Sequence, residues 1–207
     1  HHFAIRRQRQ MCIRDRDDRV RVVNDKEFFS DGEYVLYWMI ATRRFNYNAS
    51  LEYAAKLAEK HNKPLLVIEE ISTSHKFAND RITSFVIQGM VENISIFREH
   101  NIRFIPWVET PLSGPMGLLK TLAKSACAVV TDDFPTYYPL AATKAAGKSL
   151  NRKVIAVDSN GVFPMSWASS AFSTAHSYRR FLHANFSRCQ ATWPQKLPIN
   201  PEYDYSI

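Results

Sequence analysis

Residues 34–40 read Tyr34-Val-Leu-Tyr-Trp-Met-Ile40, a continuous run of apolar, β-branched and aromatic side chains. The length of this run suits a strand, and the turn sequence Ser30-Asp-Gly-Glu33 marks where it starts. A strand without polar alternation is typical of a parallel sheet that is covered on both faces. The run therefore predicts a strand at the centre of an α/β fold.

A helix is predicted directly after this strand. Asn48 is a good N-cap, Glu52 falls in the first turn, and apolar residues keep helical spacing as far as Ala58. Asn62 and Pro64 mark the end of the helix, because both residue types stop a helical run. The next strand is predicted over residues 64–69.

The alternation of strand and helix continues to residue 158. Asp80 is predicted to cap a long helix, whose apolar face consists of Ile82, Phe85, Val86, Met90, Ile94 and Phe97. Later strands are predicted over 102–108, 128–131 and 154–158, and later helices over 115–125 and 139–150. Alternation of this kind predicts a doubly wound, Rossmann-like α/β fold with a five-stranded parallel sheet and helices on both faces.

Three segments are expected along the chain. Residues 1–18 have no hydrophobic periodicity and include a Met-Cys-Ile-Arg-Asp-Arg stretch that resembles a remnant of sequence assembly, so an unstructured or artefactual tail is expected. Residues 19–190 are predicted to form the α/β domain, and residues 191–207 a linker. The net charge of +7 is no strong argument for nucleic acid, since residues 1–22 alone hold seven arginines against three aspartates.

Several classes of function lack their sequence signatures. No G-x-G-x-x-G follows a strand, and Ala146-Gly-Lys-Ser149 lacks the first glycine of a phosphate-binding loop. No G-x-S-x-G elbow is present, and neither histidines nor cysteines have metal-ligand spacing, so no metal site is expected. His176 and His183 share one helix face, where a packed or solvated role outweighs a catalytic one. The sequence offers no catalytic residue.

The cellular location is predicted from the lack of a membrane helix, a secretion signal and paired cysteines in the sequence. No apolar run approaches the roughly 20 residues that a membrane helix needs. Arginines interrupt the N-terminal segment, so a secretion signal is not indicated. The three cysteines have no paired spacing, which fits a reducing compartment, and Cys127 is expected to be a small core residue. A cytoplasmic protein that does not contact a membrane is expected.

Polar side chains cluster where the predicted strands end. Carboxyl ends of parallel strands meet at one edge of a sheet, and ligands bind in the crevice beyond that edge. An alternative is that these carboxylates cap the following helices, where the helix dipole favours anions. The predicted cofactor-binding rim consists of Met39, Arg43, Arg44, Asn48, Glu69, Asp132, Asp133 and Asn160. A planar polar ligand would use such donors and acceptors.

Six blocks in order resemble the class II DNA photolyases of the photolyase/cryptochrome family. The first is Tyr37-Trp-Met-Ile-Ala-Thr-Arg-Arg-Phe-Asn-Tyr-Asn-Ala-Ser-Leu-Glu-Tyr-Ala54, which is similar to the first strand, Arg-rich loop and helix of that class. The others are Pro64-Leu-Leu-Val67, Arg81-x-x-x-Phe-Val-Ile-Gln-Gly-Met90, Val130-Thr-Asp-Asp-Phe-Pro135, Val157-Asp-Ser-Asn-Gly-Val-Phe-Pro164 and Thr174-Ala-His-Ser-Tyr-Arg-Arg-Phe-Leu182. The resemblance covers residues 19–198. Class II members commonly have Arg-Asp where this chain has Ala41-Thr42, and Asp-Asn where it has Tyr47-Asn48.

The resemblance implies the N-terminal antenna domain of a light-driven enzyme, a flavoprotein that splits cyclobutane pyrimidine dimers in UV-damaged DNA. It implies an antenna chromophore (deazaflavin, folate or FMN) in this domain, with Arg44 and Asn48 as the strongest contacts. It places FAD in a C-terminal helical domain to which residues 191–207 would lead, so the fragment alone is expected to be inactive. The family also implies a monomer.

Two alternatives remain open at this stage. The chain could be a cryptochrome-like or photolyase-like module that holds no pigment and serves in signalling or as a scaffold. It could also be a nucleotide-binding relative of electron-transfer flavoproteins or stress proteins that shares only the sheet architecture. The absence of a glycine-rich phosphate loop counts against the second of these.

Overall fold

The computed structural model describes residues 18–73, 78–109 and 117–207. The strands are β1 (Val20–Val22), β2 (Tyr34–Met39), β3 (Leu65–Ser72), β4 (Arg103–Glu109), β5 (Ala126–Asp132) and β6 (Lys153–Val157). The helices are α1 (Ala49–His61), α2 (Asp80–Glu99), α3 (Leu118–Ala123), α4 (Tyr137–Ser149) and α5 (Ala175–Gln190), with a 3-10 turn at Met165–Trp167.

These strands form one six-stranded sheet in the order β1-β6-β5-β2-β3-β4. Strands β2 to β6 are parallel, whereas β1 pairs antiparallel to β6, with Val20 opposite Val157. The predicted α/β fold is confirmed, and the sheet has one strand more than the five predicted. The sequence did not reveal β1 because it has only three residues, and Arg21 interrupts its apolar pattern.

The chain order reverses at β2. Strand β3 lies on one side of β2 and β5 on the other, so the sheet is built outward from β2 in both directions. In open α/β sheets the crevice beyond such a reversal is the usual place for a ligand. The loop between β2 and α1 lies at this position.

Helix α1 begins and ends where the sequence predicted. The Asn48 side chain accepts a hydrogen bond from the Leu51 amide, and Asn62 ends the helix in the left-handed conformation at φ 50°. The cap of α2 differs by one residue from the prediction. Asn79, rather than Asp80, is the N-cap, since its side chain accepts from the Ile82 amide.

The two faces of the sheet bury separate apolar clusters. Tyr37 and Met39 point to the face covered by α1 and α2, together with Phe97. Leu36 and Trp38 point to the opposite face, which α3 and α4 cover. Every residue of β2 is buried, as expected for a strand between two layers of helix. Cys127 is a buried free thiol in the sheet, as predicted.

The predicted apolar face of α2 is only half covered. Met90 and Phe97 are buried, but Ile82 and Phe85 in the first turns are 49% and 76% exposed. Periodicity predicts which side of a helix is apolar, but it does not predict how much of the helix lies over the sheet. The amino-terminal half of α2 therefore contributes an exposed apolar surface.

Residues 191–207, which were expected to form a linker, pack against the domain. The Tyr205 side chain is fully buried in the same cluster as Tyr37, and its hydroxyl donates to Glu59 of α1. The Leu65 amide donates to the Tyr205 carbonyl at 3.1 Å, so this segment lies against the start of β3. An isolated tyrosine gives no periodic signal, which is why the sequence did not predict this packing.

Candidate functional site

Asp132 organises the loop that follows β2. One of its carboxylate oxygens, Oδ2, accepts hydrogen bonds from three successive backbone amides, those of Ile40 at 3.1 Å, Ala41 at 2.8 Å and Thr42 at 2.8 Å. The other oxygen, Oδ1, accepts from the Tyr37 hydroxyl at 2.9 Å. Asp132 is 1% exposed. This carboxylate is therefore fully engaged inside the protein.

Asn48 continues the same network. Its Nδ2 donates to the Tyr37 hydroxyl at 3.0 Å, to the Thr42 carbonyl at 3.2 Å and to the Arg44 carbonyl at 2.8 Å. Its Oδ1 accepts from the Leu51 amide at 2.9 Å. Burial, followed by the neighbouring Asp132 charge, raises the pKa of Tyr37 well above its ordinary value. The phenol therefore stays protonated and donates to the carboxylate.

Arg43 holds the loop to the neighbouring strand β3. Its Nη1 donates to Glu69 Oε1 at 2.9 Å, and its Nη2 donates to the Glu70 carbonyl at 2.9 Å. The second oxygen of Glu69 accepts from Asn93 of α2 at 3.1 Å. Glu69 is 1% exposed, so its charge is compensated inside the protein by Arg43.

Arg44 is the exposed arginine of the loop. Its Nε and Nη2 donate to the carbonyls of Asn46 at 3.2 Å and Tyr47 at 3.1 Å. Within the described parts of the chain, no acceptor is recorded for its Nη1, and no carboxylate forms an ion pair with it. Arg44 can therefore offer donors to a molecule from solution without breaking a contact.

Asp133 and Asn160 lie further along the rim, towards β6. The guanidinium of Arg21 on β1 binds Asp133 through two hydrogen bonds of 2.9 and 2.6 Å. This contact is the main cause that raises the pKa of Arg21. The Asn160 amide donates to the Asp133 carbonyl and to Asp158 Oδ1. These contacts join the ends of β5 and β6 into one surface.

A second polar group lies on the α3 and α4 side of the same edge. The Trp38 indole Nε1 donates to Glu70 Oε2 at 2.9 Å. Burial raises the pKa of Glu70, although the bond from Trp38 opposes that shift. Burial and, second, the Glu70 charge raise the pKa of Tyr138, which is 55% exposed. The sequence places Glu70 among the polar residues at the strand ends, but Glu70, Trp38 and Tyr138 are not among the eight predicted cofactor-binding residues.

The eight predicted rim residues all lie at the carboxyl edge, but they differ in access to solvent. Half of them are fully or almost fully buried, namely Met39, Asn48, Glu69 and Asp132. The other half are partly or fully exposed, namely Arg43, Arg44, Asp133 and Asn160. A molecule from solution can reach the second group without rearrangement. The role of any of these residues in binding stays a prediction.

Tyr37 is the residue that sequence reasoning assigned to the core and that also has a part in the site. It lies between Asp132 and Asn48, which are 95 and 11 residues away along the chain. A tyrosine inside an otherwise apolar strand is a weak signal that its hydroxyl has a buried partner. Identifying that partner required the sheet order.

Over the described ranges, no cluster of three or more histidine, cysteine, aspartate or glutamate side chains could hold a metal ion. None of the helices in those ranges is long and apolar enough to span a membrane. Neither observation assigns a function.

Comparison with known proteins gives one informative relative. No family model matches the chain. The chain is 33% identical over 152 residues to the deoxyribodipyrimidine photo-lyase of Methanothermobacter thermautotrophicus (strain Delta H), a match that covers 73% of this chain and 33% of the relative. The chain thus spans about a third of the length of that protein.

Among solved structures, two universal stress proteins are similar in part. That of Archaeoglobus fulgidus is 15% identical with a TM-score of 0.40, covering 60% of this chain and 98% of the other. UspA of Lactobacillus plantarum is 12% identical with a TM-score of 0.42, covering 61% and 98%. Structural similarity at these TM-scores supports no conclusion about function. The similarity in sequence, by contrast, supports kinship between this chain and the photolyase family.

Proposed function

We propose that this chain is the antenna-chromophore domain of a light-driven DNA repair enzyme, a class II-like deoxyribodipyrimidine photolyase that splits cyclobutane pyrimidine dimers. The observation that carries the proposal is the match at 33% identity over 152 residues to a deoxyribodipyrimidine photo-lyase. The fold supports it, because a doubly wound sheet with a chain reversal at β2 provides a crevice for a planar ligand. FAD and the damaged DNA would bind to another part of the whole protein.

The antenna pigment, a deazaflavin, folate or FMN, would lie along the exposed part of the rim. When bound, it absorbs light and passes the energy to the flavin. Arg44 would donate to carbonyl and ring-nitrogen acceptors, since a guanidinium presents a planar fork of donors. Arg43, Asp133 and Asn160 would border the pigment. The buried group, including Asn48 and Asp132, would keep the loop in the conformation that presents Arg44.

Titration of the chain with a deazaflavin and with FMN tests the pigment site. We expect saturable binding, and we expect Arg44→Ala to weaken it about tenfold or more, the cost of losing a charged hydrogen bond of roughly 1.5 to 3 kcal/mol. Arg103→Ala is the matched control, because Arg103 is an exposed arginine at the opposite, amino end of β4. The affinity of Arg103→Ala for the pigment should equal that of the wild type.

The alternative is a photolyase-like or cryptochrome-like module without pigment. Absence of binding for both pigments by a folded wild type would favour that module. Saturable binding with unchanged affinity in Arg44→Ala would contradict the assignment of the pigment to the rim at Arg44. The purified chain should also carry no tightly bound FAD and should not repair thymine dimers under near-ultraviolet light. Stoichiometric FAD after gel filtration would contradict the assignment of the flavin site to another part of the protein.

A further inference from the structure

Three successive amides of the loop after β2 form a concave anion-binding arrangement. The N–H groups of Ile40, Ala41 and Thr42 converge on a single oxygen atom. Backbone amides in such a nest bind phosphate and other anions in many proteins. In this chain the anion is the protein's own carboxylate, Asp132 Oδ2.

The nest lies where an α/β sheet would hold the phosphate of a nucleotide. Strands β2 and β5 are neighbours at the chain reversal, and the phosphate of a ligand there commonly meets the loop after the first strand and the start of the next helix. In this chain Asp132 reaches the loop from the end of β5. It therefore occupies the phosphate position from within the fold.

Three backbone amides at the start of α1 also donate hydrogen bonds within the protein. The Ser50 amide donates to Ser159 Oγ at 3.0 Å, the Leu51 amide to Asn48 Oδ1 at 2.9 Å, and the Glu52 amide to the Asn48 carbonyl at 3.0 Å. Ser50 and Asn48 are fully buried. The three amides of the nest and these three amides of α1 are therefore already paired.

We propose that Asp132 is a built-in substitute for phosphate, which makes the crevice after β2 reject phosphate groups and select ligands by their uncharged ring system. The charges nearby point the same way. Asp133 lies next in the chain, Glu69 and Glu70 lie in the neighbouring strand β3, and Arg43 is already paired with Glu69. A phosphate in the nest would meet the negative charge of Asp132, and the amides that would bind it are already paired.

Removal of the carboxylate tests this proposal without any pigment. Asp132→Ala should free the nest, so that millimolar phosphate or sulfate raises its thermal midpoint by about 3 °C or more relative to chloride at equal ionic strength. The wild type should respond by less than about 1 °C, because its nest is filled. Asp31→Ala, which removes an exposed carboxylate before β2, should respond like the wild type.

Two results would overturn the proposal in this experiment. One is a wild type that phosphate stabilises as much as it does Asp132→Ala. The other is a folded Asp132→Ala protein that phosphate does not stabilise. If Asp132→Ala fails to fold in chloride, the yield of refolding with and without phosphate replaces the midpoint, and a yield that phosphate does not increase counts against the proposal.

A second experiment applies the proposal to the pigment, and this arm rests on the proposed function. Riboflavin and FMN differ only by a phosphate, so the wild type should bind them with dissociation constants within about threefold of each other. FMN binding that is tenfold tighter would overturn the phosphate-rejection proposal while leaving the antenna assignment intact. Binding of neither flavin would contradict a flavin antenna, and the phosphate response of Asp132→Ala would then decide the role of Asp132 alone.

Discussion

The loop of residues 40–48 and helix α5 differ in two properties, the regularity of the backbone and the extent of contacts inside the protein. The loop has no regular secondary structure, yet Asp132 and Asn48 satisfy its amides and carbonyls from inside the protein. Helix α5 is a regular helix of 16 residues, yet Cys189 is its only buried residue. We therefore expect the irregular loop to resist unfolding more strongly than the regular helix does.

Substitution in the loop should have the largest effect. Asn48→Ala removes an N-cap and leaves the Tyr37 hydroxyl and two carbonyls without their buried donor, so we expect a loss of about 3 kcal/mol in the free energy of unfolding. Urea denaturation measures the difference. Asn46→Ala, at an exposed position of the same loop, should change stability by no more than about 0.5 kcal/mol. Equal losses in both variants would contradict the comparison.

The next effect is expected at the carboxylate itself. Asp132→Asn keeps the shape of the side chain but removes its charge, so the three loop amides and the Tyr37 hydroxyl lose charge-assisted bonds, at a cost of about 2 kcal/mol. Asp133→Asn is the matched control, because the partner of Asp133 is the solvent-accessible Arg21, and such pairs contribute about 0–1 kcal/mol. If Asp133→Asn costs as much as Asp132→Asn, burial does not explain the strength of the loop.

Glu70, at the same edge, should give a smaller effect that depends on pH. Burial raises the pKa of Glu70, so the folded protein binds this proton more tightly than the unfolded chain does. The contribution of Glu70 to stability is therefore present at low pH and is lost as the pH rises through its folded pKa. Glu70→Gln removes that loss and keeps an oxygen for the Trp38 indole. The free energy of unfolding of Glu70→Gln, relative to that of the wild type, should rise by about 0.5 kcal/mol as the pH increases from about 4 to about 7. Curves of stability against pH that run parallel for the two proteins would contradict this.

The smallest effect is expected on α5. His183 is exposed, so His183→Ala removes little buried surface and should change the free energy of unfolding by less than about 0.5 kcal/mol. Phe97→Ala, in the buried cluster under α2, should cost several times more. A large loss in His183→Ala would show that α5 stabilises the domain despite its exposure.

The parts of the fold that the sequence predicted are those with local causes. Asn48 and Asn62 delimit α1 through bonds within a few residues, and the apolar run of β2 signals a strand covered on both faces. The rim was predictable as a group because parallel strands share one edge. Which rim residues are buried and which are exposed was not predictable. The hydrogen bonds that Asp132 accepts from the loop amides connect positions about 90 residues apart and depend on which strands are neighbours.

The features that the sequence did not predict depend on long-range contacts of single residues. The buried Arg19 donates to the carbonyls of Asp158, Gly161, Val162 and Thr192, and so ties strand β1 to two distant segments. In the sequence this arginine looks like its neighbours in the basic N-terminal segment. No local pattern distinguishes an arginine that will be buried from one that will be solvated.

The packing of Tyr205 has a consequence for the order of events during synthesis. The cluster that contains Tyr37 is assembled from residues as early as 35 and as late as 205, so a nascent chain cannot complete it until residue 205 has left the ribosome. Until then the Leu65 amide lacks its acceptor and part of the core lacks its cover. Ribosome-bound chains arrested with only residues 1–190 emerged should therefore be cut by protease much faster than chains that expose residue 207.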